Sequence, residues 1–293
     1  QDPAALPCVG DWVLLRTWPD ARLTLEAVLP RRSAIVRRTA GKDSTGQVLA
    51  ANLDTAAVVE PMHPAPDLGR IERLLALAWE SGAQPLLVLT KCDLVADPAA
   101  VAAQVATAAP GVEVVTVSAR RGDGLAELRP RVAPGQTMGL LGPSGAGKST
   151  LVNALAGATV MAVQGVRGGD SKGRHTTTYR ALVPIPGGGA VLDTPGVRAV
   201  GLLDTADGLD RTFRDVVELA AACRFTDCRH DGEPGCAVRA ALESGELSAR
   251  RWASWQKLRR EAEYEARRRD ARLSVQQRAR LRRLRREQRP AWP

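Results

Sequence analysis

A glycine-rich octapeptide at residues 142–149 constrains the fold of this 293-residue chain more than any other feature of its sequence. It fits the pattern G-x-x-x-x-G-K-S, and it lies between an apolar run that ends at Leu141 and a helical stretch through Leu151 and Leu155. In that context the pattern is typical of a phosphate-binding loop. The alternative, a glycine turn of no consequence, leaves the flanking strand and helix unexplained. The sequence therefore predicts an α/β P-loop fold.

Each residue type in the octapeptide has a use in phosphate binding. Glycines let backbone N–H groups fold around the phosphates, Lys148 neutralises the β and γ oxygens, and the Ser149 hydroxyl can bind Mg²⁺. Because of its charge, Lys148 is also a predicted catalytic residue. The predicted nucleotide ligands in this segment are Gly142, Ser144, Gly145, Ala146, Gly147, Lys148, Ser149 and Thr150.

A second segment that could face the phosphates follows the apolar run at 190–192. Asp193 comes directly after this predicted strand, and Gly196 lies in the turn behind it. We expect the Asp193 carboxylate to hold Mg²⁺ through water and the Gly196 N–H to meet a γ-phosphate.

The chain between these two segments contains a candidate switch. Residues 165–178 show little secondary-structure pattern and end in Arg174-His175-Thr176-Thr177-Thr178. Such a segment becomes ordered when a threonine reaches Mg²⁺ and the γ-phosphate, and it is released on hydrolysis. We predict that Thr177 is this ligand and takes part in catalysis, with Thr176 as the alternative.

Hydrolysis must use a polar group outside the usual position. Ras-like enzymes orient the attacking water with a glutamine just after the D-x-x-G motif. The corresponding residue here is Val197, which cannot hydrogen-bond. His175 in the predicted switch is the nearest polar candidate, although a solvated loop residue or a contact to RNA stay open as its roles. We expect slow intrinsic turnover that a partner activates.

Two short motifs point to guanine as the base. Thr90-Lys91-Cys92-Asp93 follows an apolar strand and resembles the N-K-x-D signature, with threonine in the asparagine position. Its aspartate can accept hydrogen bonds from the ring N–H and the exocyclic amine of guanine. Ser118-Ala119-Arg120 follows the next strand and resembles the S-A-K signature, in which a backbone N–H meets the guanine carbonyl. Each motif is weak alone; together they predict a guanine site at Thr90, Lys91, Asp93, Ser118, Ala119 and Arg120.

The order of these motifs is unusual. The base motifs at residues 90 and 118 precede the phosphate loop at residue 142 instead of following it. The sequence therefore predicts a circularly permuted GTPase, in which the sheet is kept and the chain ends are moved. The segment after Asp193 then leads directly into the C-terminal region, so that nucleotide state could be transmitted there without a long linker.

Three of the five cysteines lie with a histidine within fourteen residues of sequence. Three thiolates and one imidazole complete a tetrahedral Zn²⁺ shell and leave no open position, so we predict one structural zinc. The spacing is not the usual zinc-finger spacing, and buried thiols without a metal are the alternative. The predicted zinc ligands are Cys223, Cys228, His230 and Cys236.

The positive charge of the chain is concentrated at its C-terminal end. From Arg251 onward there are 15 Lys and Arg against 5 Asp and Glu. The difference, +10, exceeds the net charge of +9 for the whole chain. Arginine clusters at 267–269 and 282–286, with Trp252, Trp255 and Tyr264 interleaved, favour contacts to RNA phosphates and bases. A solvated helix face is the alternative.

Composition and patterning divide the chain into three units. Hydrophobic residues make up 44% of the chain, and 293 residues exceed what one core usually holds. The first fifty residues show short alternating runs typical of strands, an apolar run at 48–59 predicts a longer strand, and strands then alternate with helices in the manner of a parallel sheet. Beyond residue 201 the pattern is helical. We place a β domain at 1–50, the GTPase domain at 51–203 and a helical domain at 204–293.

No part of the sequence predicts a membrane location. No apolar stretch reaches roughly 18 residues, and no charged start followed by an apolar run indicates a signal peptide. We expect a cytoplasmic monomer.

Over essentially its whole length the chain resembles the RsgA (YjeQ/YloQ) family of ribosome small subunit-dependent GTPases. The stretches that carry this resemblance are Val9 to Trp12, Ile71-Glu72-Arg73, Thr90 to Asp93, the loop from Gly142, Gly173 to Thr178, Asp193 to Gly196, and the cysteine cluster. The resemblance implies a partial N-terminal OB-fold-like β-barrel, a permuted GTPase and a C-terminal zinc domain. It also implies a late assembly factor that binds the small ribosomal subunit and its rRNA, hydrolyses GTP when stimulated by it, and then leaves.

Two departures from the family pattern matter. The chain starts at Gln1 and offers about three strands before the GTPase, where an OB-fold needs five. We therefore expect the natural N-terminus to be missing. Thr90 replaces an asparagine whose amide usually ties the base loop to the phosphate loop, and a hydroxyl can replace only part of that.

Two other functions stay open. The chain could be a permuted GTPase that acts on the large subunit or another RNP. It could also be an RNA-binding module with a degenerate nucleotide site, although intact Lys148, Ser149 and Asp193 argue against this.

Overall fold

The computed structural model describes residues 6–38, 46–162, 181–193 and 206–267. The strands are β1 (Val13–Thr17), β2 (Leu23–Val28), β3 (Ala34–Arg38), β4 (Gly46–Ala51), β5 (Thr55–Pro61), β6 (Gln84–Thr90), β7 (Val114–Val117), β8 (Thr137–Leu141), β9 (Ala181–Pro184) and β10 (Ala190–Asp193). The helices are α1 (Leu68–Glu80), α2 (Pro98–Ala106), α3 (Leu125–Leu128), α4 (Lys148–Ala156), α5 (Ala206–Thr212), α6 (Arg214–Ala221), α7 (Ala237–Ser244) and α8 (249–267).

A six-stranded sheet forms the centre of the protein, in the order β7-β6-β5-β8-β10-β9. β5 pairs in parallel with β6 on one side and with β8 on the other, so that Val58 lies opposite both Leu87 and Leu141. The pairs β6–β7 and β8–β10 are also parallel. Parallel strands of this kind are buried on both faces, which explains why all seven residues of β5 are buried.

Helices cover both faces of this sheet. On one face Ile71 and Leu75 of α1 pack in a core with Leu87 and Leu89 of β6. On the other face Leu151 and Leu155 of α4 pack in a second core with side chains from the same strands that point the opposite way, including Val88. The alternation of successive side chains along each strand sends neighbours to opposite faces, so one apolar run serves two cores.

The sheet is mixed rather than purely parallel. β9 runs antiparallel to β10, and the two are joined by a turn in which Ile185 N–H donates to Gly189 O and Gly187 and Gly188 have positive φ. The sequence analysis did not predict β9. Its four residues are too short for a clear alternating pattern, and the glycines that mark the turn were not used as a hairpin signal.

The N-terminal region consists of two antiparallel ladders, β1–β2 and β3–β4. Among the described residues, four strands therefore precede the central sheet, where the sequence analysis expected about three. Within the described residues each ladder is a separate two-stranded sheet. Ile35, Leu49 and Ala50 of the second ladder are buried in the same core as α1, so this ladder is packed on the GTPase unit.

The prediction of one strand across residues 48–59 was wrong. The chain turns at Asn52, which has φ 55° and ends the ladder strand β4 before β5 begins at Thr55. The Asn52 side chain accepts from Arg32 N–H at 2.9 Å and donates to Gly10 O at 2.9 Å. Asparagine tolerates the left-handed region better than other residues with a Cβ, which an apolar pattern does not show.

Four helices form a separate C-terminal core. They enclose one fully buried aromatic ring, and Ala76 of α1 joins the same cluster. The principal buried residues are Phe213, Val216, Val238, Trp255 and Leu258. No helix in the described ranges combines the length and the apolar character that a membrane crossing needs.

We predict that Asn52→Ala lowers the free energy of unfolding by about 2–4 kcal/mol, because it leaves two backbone groups unpaired and places alanine in the left-handed region. Asn52→Gly serves as the control, since glycine removes the backbone strain and only the lost hydrogen bonds remain. Urea unfolding measures both variants. Equal stability of Asn52→Ala and the parent protein would contradict this role of the side chain.

Candidate nucleotide site and metal cluster

The predicted nucleotide residues meet at one edge of the central sheet. β8, β10, β6 and β7 end with Leu141, Asp193, Thr90 and Val117, and these strands run parallel in one sheet, with β5 between β6 and β8. Their carboxyl ends therefore lie at the same edge, where open α/β sheets bind ligands. The structure brings together segments as far apart in sequence as Thr90 and Asp193, because the sheet order, not the chain order, decides which loops are adjacent.

The phosphate loop joins β8 to α4 through a tight approach to β5. A Cβ on Gly142 would lie 2.2 Å from Val59 O, so only glycine fits there. Gly145 and Gly147 have φ of 79° and 91°, and Gly147 caps α4 without a side-chain hydrogen bond. The loop thus places the N-terminal N–H groups of α4 at the site edge, where they can bind an anion.

The Lys148 ammonium lies across this loop. Its Nζ donates to Gly142 O at 2.8 Å and to Pro143 O at 3.0 Å. These two carbonyl groups hold the ammonium at the mouth of the loop, where it could form an ion pair with a bound phosphate. Ser149 and Thr150, which follow in the first turn of α4, are half-buried.

Asp193 at the end of β10 fits a divalent cation. The residue is 2% exposed, and among the described residues its Oδ1 is buried with no hydrogen-bond partner. Burial raises the pKa of this carboxyl group above its ordinary value, and the charge of Lys148 works against that rise. A buried oxygen without a partner is costly unless an ion or water satisfies it, so the residue fits Mg²⁺ held with the Ser149 hydroxyl.

The base loop is shaped by Lys91 and by Ser118. Lys91 has φ 59° and starts a single 3₁₀ turn, Cys92–Leu94, which presents Asp93 at the sheet edge. A hydrogen bond from the Ser118 side chain is the main reason why the pKa of Asp93 lies below its usual value. Ser118 is fully buried and its Oγ accepts from Arg121 N–H. The bond from Ser118 therefore favours the ionised form of Asp93 at this edge of the sheet.

The base loop and the phosphate loop are in direct contact. The Thr90 hydroxyl donates to Ala146 O at 2.5 Å, and Thr90 is 2% exposed. The sequence analysis expected threonine to replace only part of the usual amide contact at this position. The structure shows that the hydroxyl makes the connection between the loops itself. Ala119 and Arg120 follow Ser118 on the same side of the sheet, with Arg120 exposed.

The sequence analysis did not identify the role of Asn153 in this region. Asn153 of α4 accepts from Val160 N–H and Met161 N–H and donates to Met161 O, which fixes the chain just before residue 163. Four predicted site residues lie outside the described residues: His175, Thr176, Thr177 and Gly196.

The Cys–His group has the dimensions of a metal site. The ligand atoms of all four residues lie within 4.8 Å of one another. Cys223 Sγ and Cys236 Sγ are each 3.5 Å from His230 Nδ1 and 4.0 Å from each other. A tetrahedron with Zn–S of about 2.3 Å and Zn–N of about 2.0 Å has an N···S edge of about 3.5 Å and an S···S edge of about 3.8 Å. The group, which also contains Cys228, is therefore close to the shape that zinc requires.

The pKa shifts differ among the ligands of this cluster: burial raises the pKa of the Cys228 thiol to about 11, whereas the pKa values of Cys223 and His230 are lowered. Burial works to raise the pKa of the Cys223 thiol, but the backbone N–H groups of Val238 and Ala237 outweigh it and lower that pKa. Burial lowers the pKa of His230, so that its ring is neutral at pH 7. Thiolate and neutral imidazole are the forms that ligate zinc.

The loop around the cluster is held by one carboxylate and one ring. Glu233 accepts from Arg229 N–H and Asp231 N–H, both at 2.8 Å, and these bonds lower its pKa to about 2. His230 meets the edge of Trp252 with ring centroids 5.5 Å apart. The ligand loop thus has its own supports apart from any metal.

We predict that Thr90→Val weakens GDP and GTP binding by about tenfold, because it leaves Ala146 O buried without a donor. Thr90→Ser keeps the hydroxyl and is expected to bind within about threefold of the parent protein. A fluorescent nucleotide titration measures both. Parent-like affinity in Thr90→Val would show that the contact between the loops does not support binding.

Comparison with known proteins agrees with this geometry. The sequence model of the RsgA GTPase family matches residues 28–203. The chain is 53% identical over 279 residues to the small ribosomal subunit biogenesis GTPase RsgA of Streptomyces coelicolor, covering 94% of this chain and 76% of that protein. It is 47% identical over 291 residues to the protein of that name from Opitutus terrae, covering 96% and 79%.

Two solved structures have a similar fold. YjeQ from Thermotoga maritima aligns with a TM-score of 0.63 and 25% identity over 88% of this chain and 84% of that one. YloQ, described as a circularly permuted GTPase, aligns with a TM-score of 0.59 and 26% identity over 89% and 82%. The motif order and sheet order of the present chain, together with these relatives, show that it belongs to the RsgA family of circularly permuted GTPases.

Proposed function

We propose that this protein hydrolyses GTP as a late assembly factor of the small ribosomal subunit and is stimulated by that subunit. One observation carries the proposal for the nucleotide: the Thr90 hydroxyl joins the base loop to the phosphate loop, with buried Asp193 at the same sheet edge. The subunit as partner rests on the names of the relatives, which are small ribosomal subunit biogenesis GTPases.

Different described residues bind the base and the phosphates of the nucleotide. Asp93 accepts from guanine, and Ser118 keeps it ionised. Backbone N–H groups of the phosphate loop and the Lys148 ammonium bind the phosphates. When bound, Mg²⁺ neutralises charge that develops on the phosphate oxygens. Ser149 and Asp193 are the groups that would hold it, and its binding would satisfy the unpaired Asp193 oxygen. Thr90, Lys91, Ala119 and Arg120 complete the base side.

The catalytic step needs residues beyond the described part of the chain. We assign Thr177 as the switch ligand of Mg²⁺, with Thr176 as the alternative, and Gly196 as a donor to the γ-phosphate. His175 orients the attacking water. Val197 in the usual glutamine position supports this assignment, because it offers no hydrogen-bonding group.

The Cys–His cluster holds one structural zinc ion in this proposal. Four protein ligands fill the tetrahedron and leave no position for a substrate. The C-terminal core is small, and a bound metal contributes folding free energy where a core is limited. The distances between the ligand atoms support zinc here.

We also propose three units, at 1–50, 51–203 and 204–293, with the first a partial OB-fold-like barrel. The protein acts in the cytoplasm, because its proposed partner is a ribosomal subunit, and it acts there as a monomer. Several of Arg267, Arg268, Arg269, Arg282, Arg283, Arg285 and Arg286 contact rRNA phosphates. An increase in salt should then weaken binding to the subunit.

We predict one Zn²⁺ per chain by elemental analysis. Cys223→Ser should lower the zinc content and make residues 206–267 more sensitive to protease, because three ligands hold the metal less well than four. GTP affinity should stay within about twofold of the parent protein. Cys8→Ser is the matched control, since Cys8 lies outside the cluster and should keep full zinc. A folded, metal-free protein would refute the zinc assignment.

The test of the function is GTP turnover with and without purified small subunits. We expect stimulation of about tenfold or more by the small subunit and none by the large subunit. Lys148→Ala should abolish turnover in both conditions. His175→Ala should bind GTP like the parent protein while losing most of the stimulated turnover. Stimulation by the large subunit alone would reassign the partner.

A further inference from the structure

Arg251 of α8 uses every hydrogen-bond donor that a guanidinium group has. Its Nε and one Nη donate to the Asp215 carboxylate at 2.6 and 2.7 Å. The remaining donors reach Glu72, Thr212 O and Ala108 O at 2.8, 2.8 and 3.3 Å. Arg251 is 3% exposed, and its guanidinium lies 4.5 Å from the centre of the Phe213 ring. One side chain therefore joins α8 to four other segments.

Glu72 of α1 is the opposite half of this junction. It is fully buried and accepts from Arg250, Arg251 and the Ser254 hydroxyl, all from α8. Its neighbour Arg73 pairs with Glu261 of α8 at 2.7 Å. Burial alone would lower the pKa of Arg251, but hydrogen bonding to Asp215 keeps it above its ordinary value. We call this set, Glu72, Asp215, Arg250, Arg251 and Ser254, the α1–α8 joint.

The same helix α1 is anchored to the nucleotide loops at its N-terminus. Glu60, the fully buried penultimate residue of β5, accepts from Asp67 N–H and pairs with Arg70 in the first turn of α1. Met62 N–H donates to Thr90 O at 2.8 Å. Since Thr90 in turn contacts Ala146 of the phosphate loop, the segment between β5 and α1 is linked to that loop through Thr90.

A second connection runs through Ala108. This residue follows α2 and precedes β7, which delivers Ser118 to the base loop. Arg251 thus contacts both chain segments that flank β6 in sequence, and β6 carries Thr90. A change in the base loops on nucleotide binding would therefore reach Arg251 by two routes, through Glu72 of α1 and through Ala108.

We infer that the α1–α8 joint couples guanine-nucleotide binding to the C-terminal helices, in addition to the covalent connection that follows Asp193. Glu72 and Arg251 are positioning residues in this view, because neither touches the nucleotide. Energetic coupling between two sites is reciprocal. The C-terminal helices should therefore respond to nucleotide, and the nucleotide site should respond to what the C-terminal helices bind.

Hydrogen exchange of the full-length chain with and without GDP and Mg²⁺ tests the coupling directly. In the parent protein, we expect GDP to slow exchange in residues 206–221 and 249–267 by about threefold or more. Arg251→Lys cannot make five hydrogen bonds and should lose most of this effect. Ser254→Ala, a milder change to the same joint, should reduce it. Arg214→Lys, in an exposed pair with Glu218, is the matched control and should keep the full effect.

Two results would overturn the inference. One is a parent protein in which GDP protects residues 142–156 but leaves the C-terminal helices unchanged. The other is full protection in both Arg251→Lys and Ser254→Ala. The exchange experiment does not need the ribosome, so its outcome is independent of the test of the proposed function.

A second arm rests on the proposed function. With small subunits present, Ser254→Ala should lower stimulated kcat by about threefold while intrinsic turnover, GDP affinity and zinc content stay at parent values. A fall in intrinsic turnover or zinc content to the same extent would indicate a scaffold role and contradict the inference. If the parent protein itself shows no stimulation, the proposed function fails while the exchange result still decides the coupling.

Discussion

The pairing of β5 with β8 at the centre of the sheet is the constraint on which the nucleotide site depends. Ala57 lies opposite Leu140 and Val58 opposite Leu141 in this parallel pair, across more than 80 residues of sequence. The β5 side of the pair carries both base loops, and the β8 side carries the phosphate loop and Asp193. In the permuted chain order these two halves are separate stretches of sequence. The close approach of Gly142 to Val59 O and the bond from Thr90 to Ala146 O exist only while this register is kept.

The sequence was sufficient for those parts of the site whose chemistry depends on local residue types. Three features can be recognised from residue type and spacing alone: the glycines of the phosphate loop, an aspartate at the end of a buried strand, and the clustered cysteines. In each case the backbone conformation or the ligand requires that residue type. The structure places Lys148, Asp193, Thr90 and Asp93 at one edge of the sheet. The strand at 48–59 was mispredicted because a single asparagine with positive φ interrupts an apolar run.

Charge counting was the weakest part of the sequence interpretation, because it does not show which charges are already paired. Arg251 was counted with the basic end of the chain, and Trp252 and Trp255 were interpreted as aromatic side chains interleaved for RNA. In the structure Arg251 is buried against Glu72 and Asp215, and the two tryptophan rings stack on each other 4.8 Å apart. Trp255 is 7% exposed, whereas Tyr264 is 59% exposed. The surface available to RNA on α8 therefore lies towards its later turns.

Buried charges such as Glu60, Glu72 and Arg251 are expensive to desolvate, and apolar side chains could fill the same space with equal or greater stability. What they add is geometry, since a carboxylate that accepts from three side chains and a guanidinium that makes five bonds restrict the arrangement of the elements they join. α8 illustrates the consequence. Arg251 faces α1 of the GTPase unit, and the next residue, Trp252, meets His230 of the metal cluster. Adjacent residues on a helix point about 100° apart, so one rigid turn fixes the metal loop and the nucleotide-binding unit relative to each other. The contacts of α8 with α1 and with the metal loop therefore lie within a single turn of that helix.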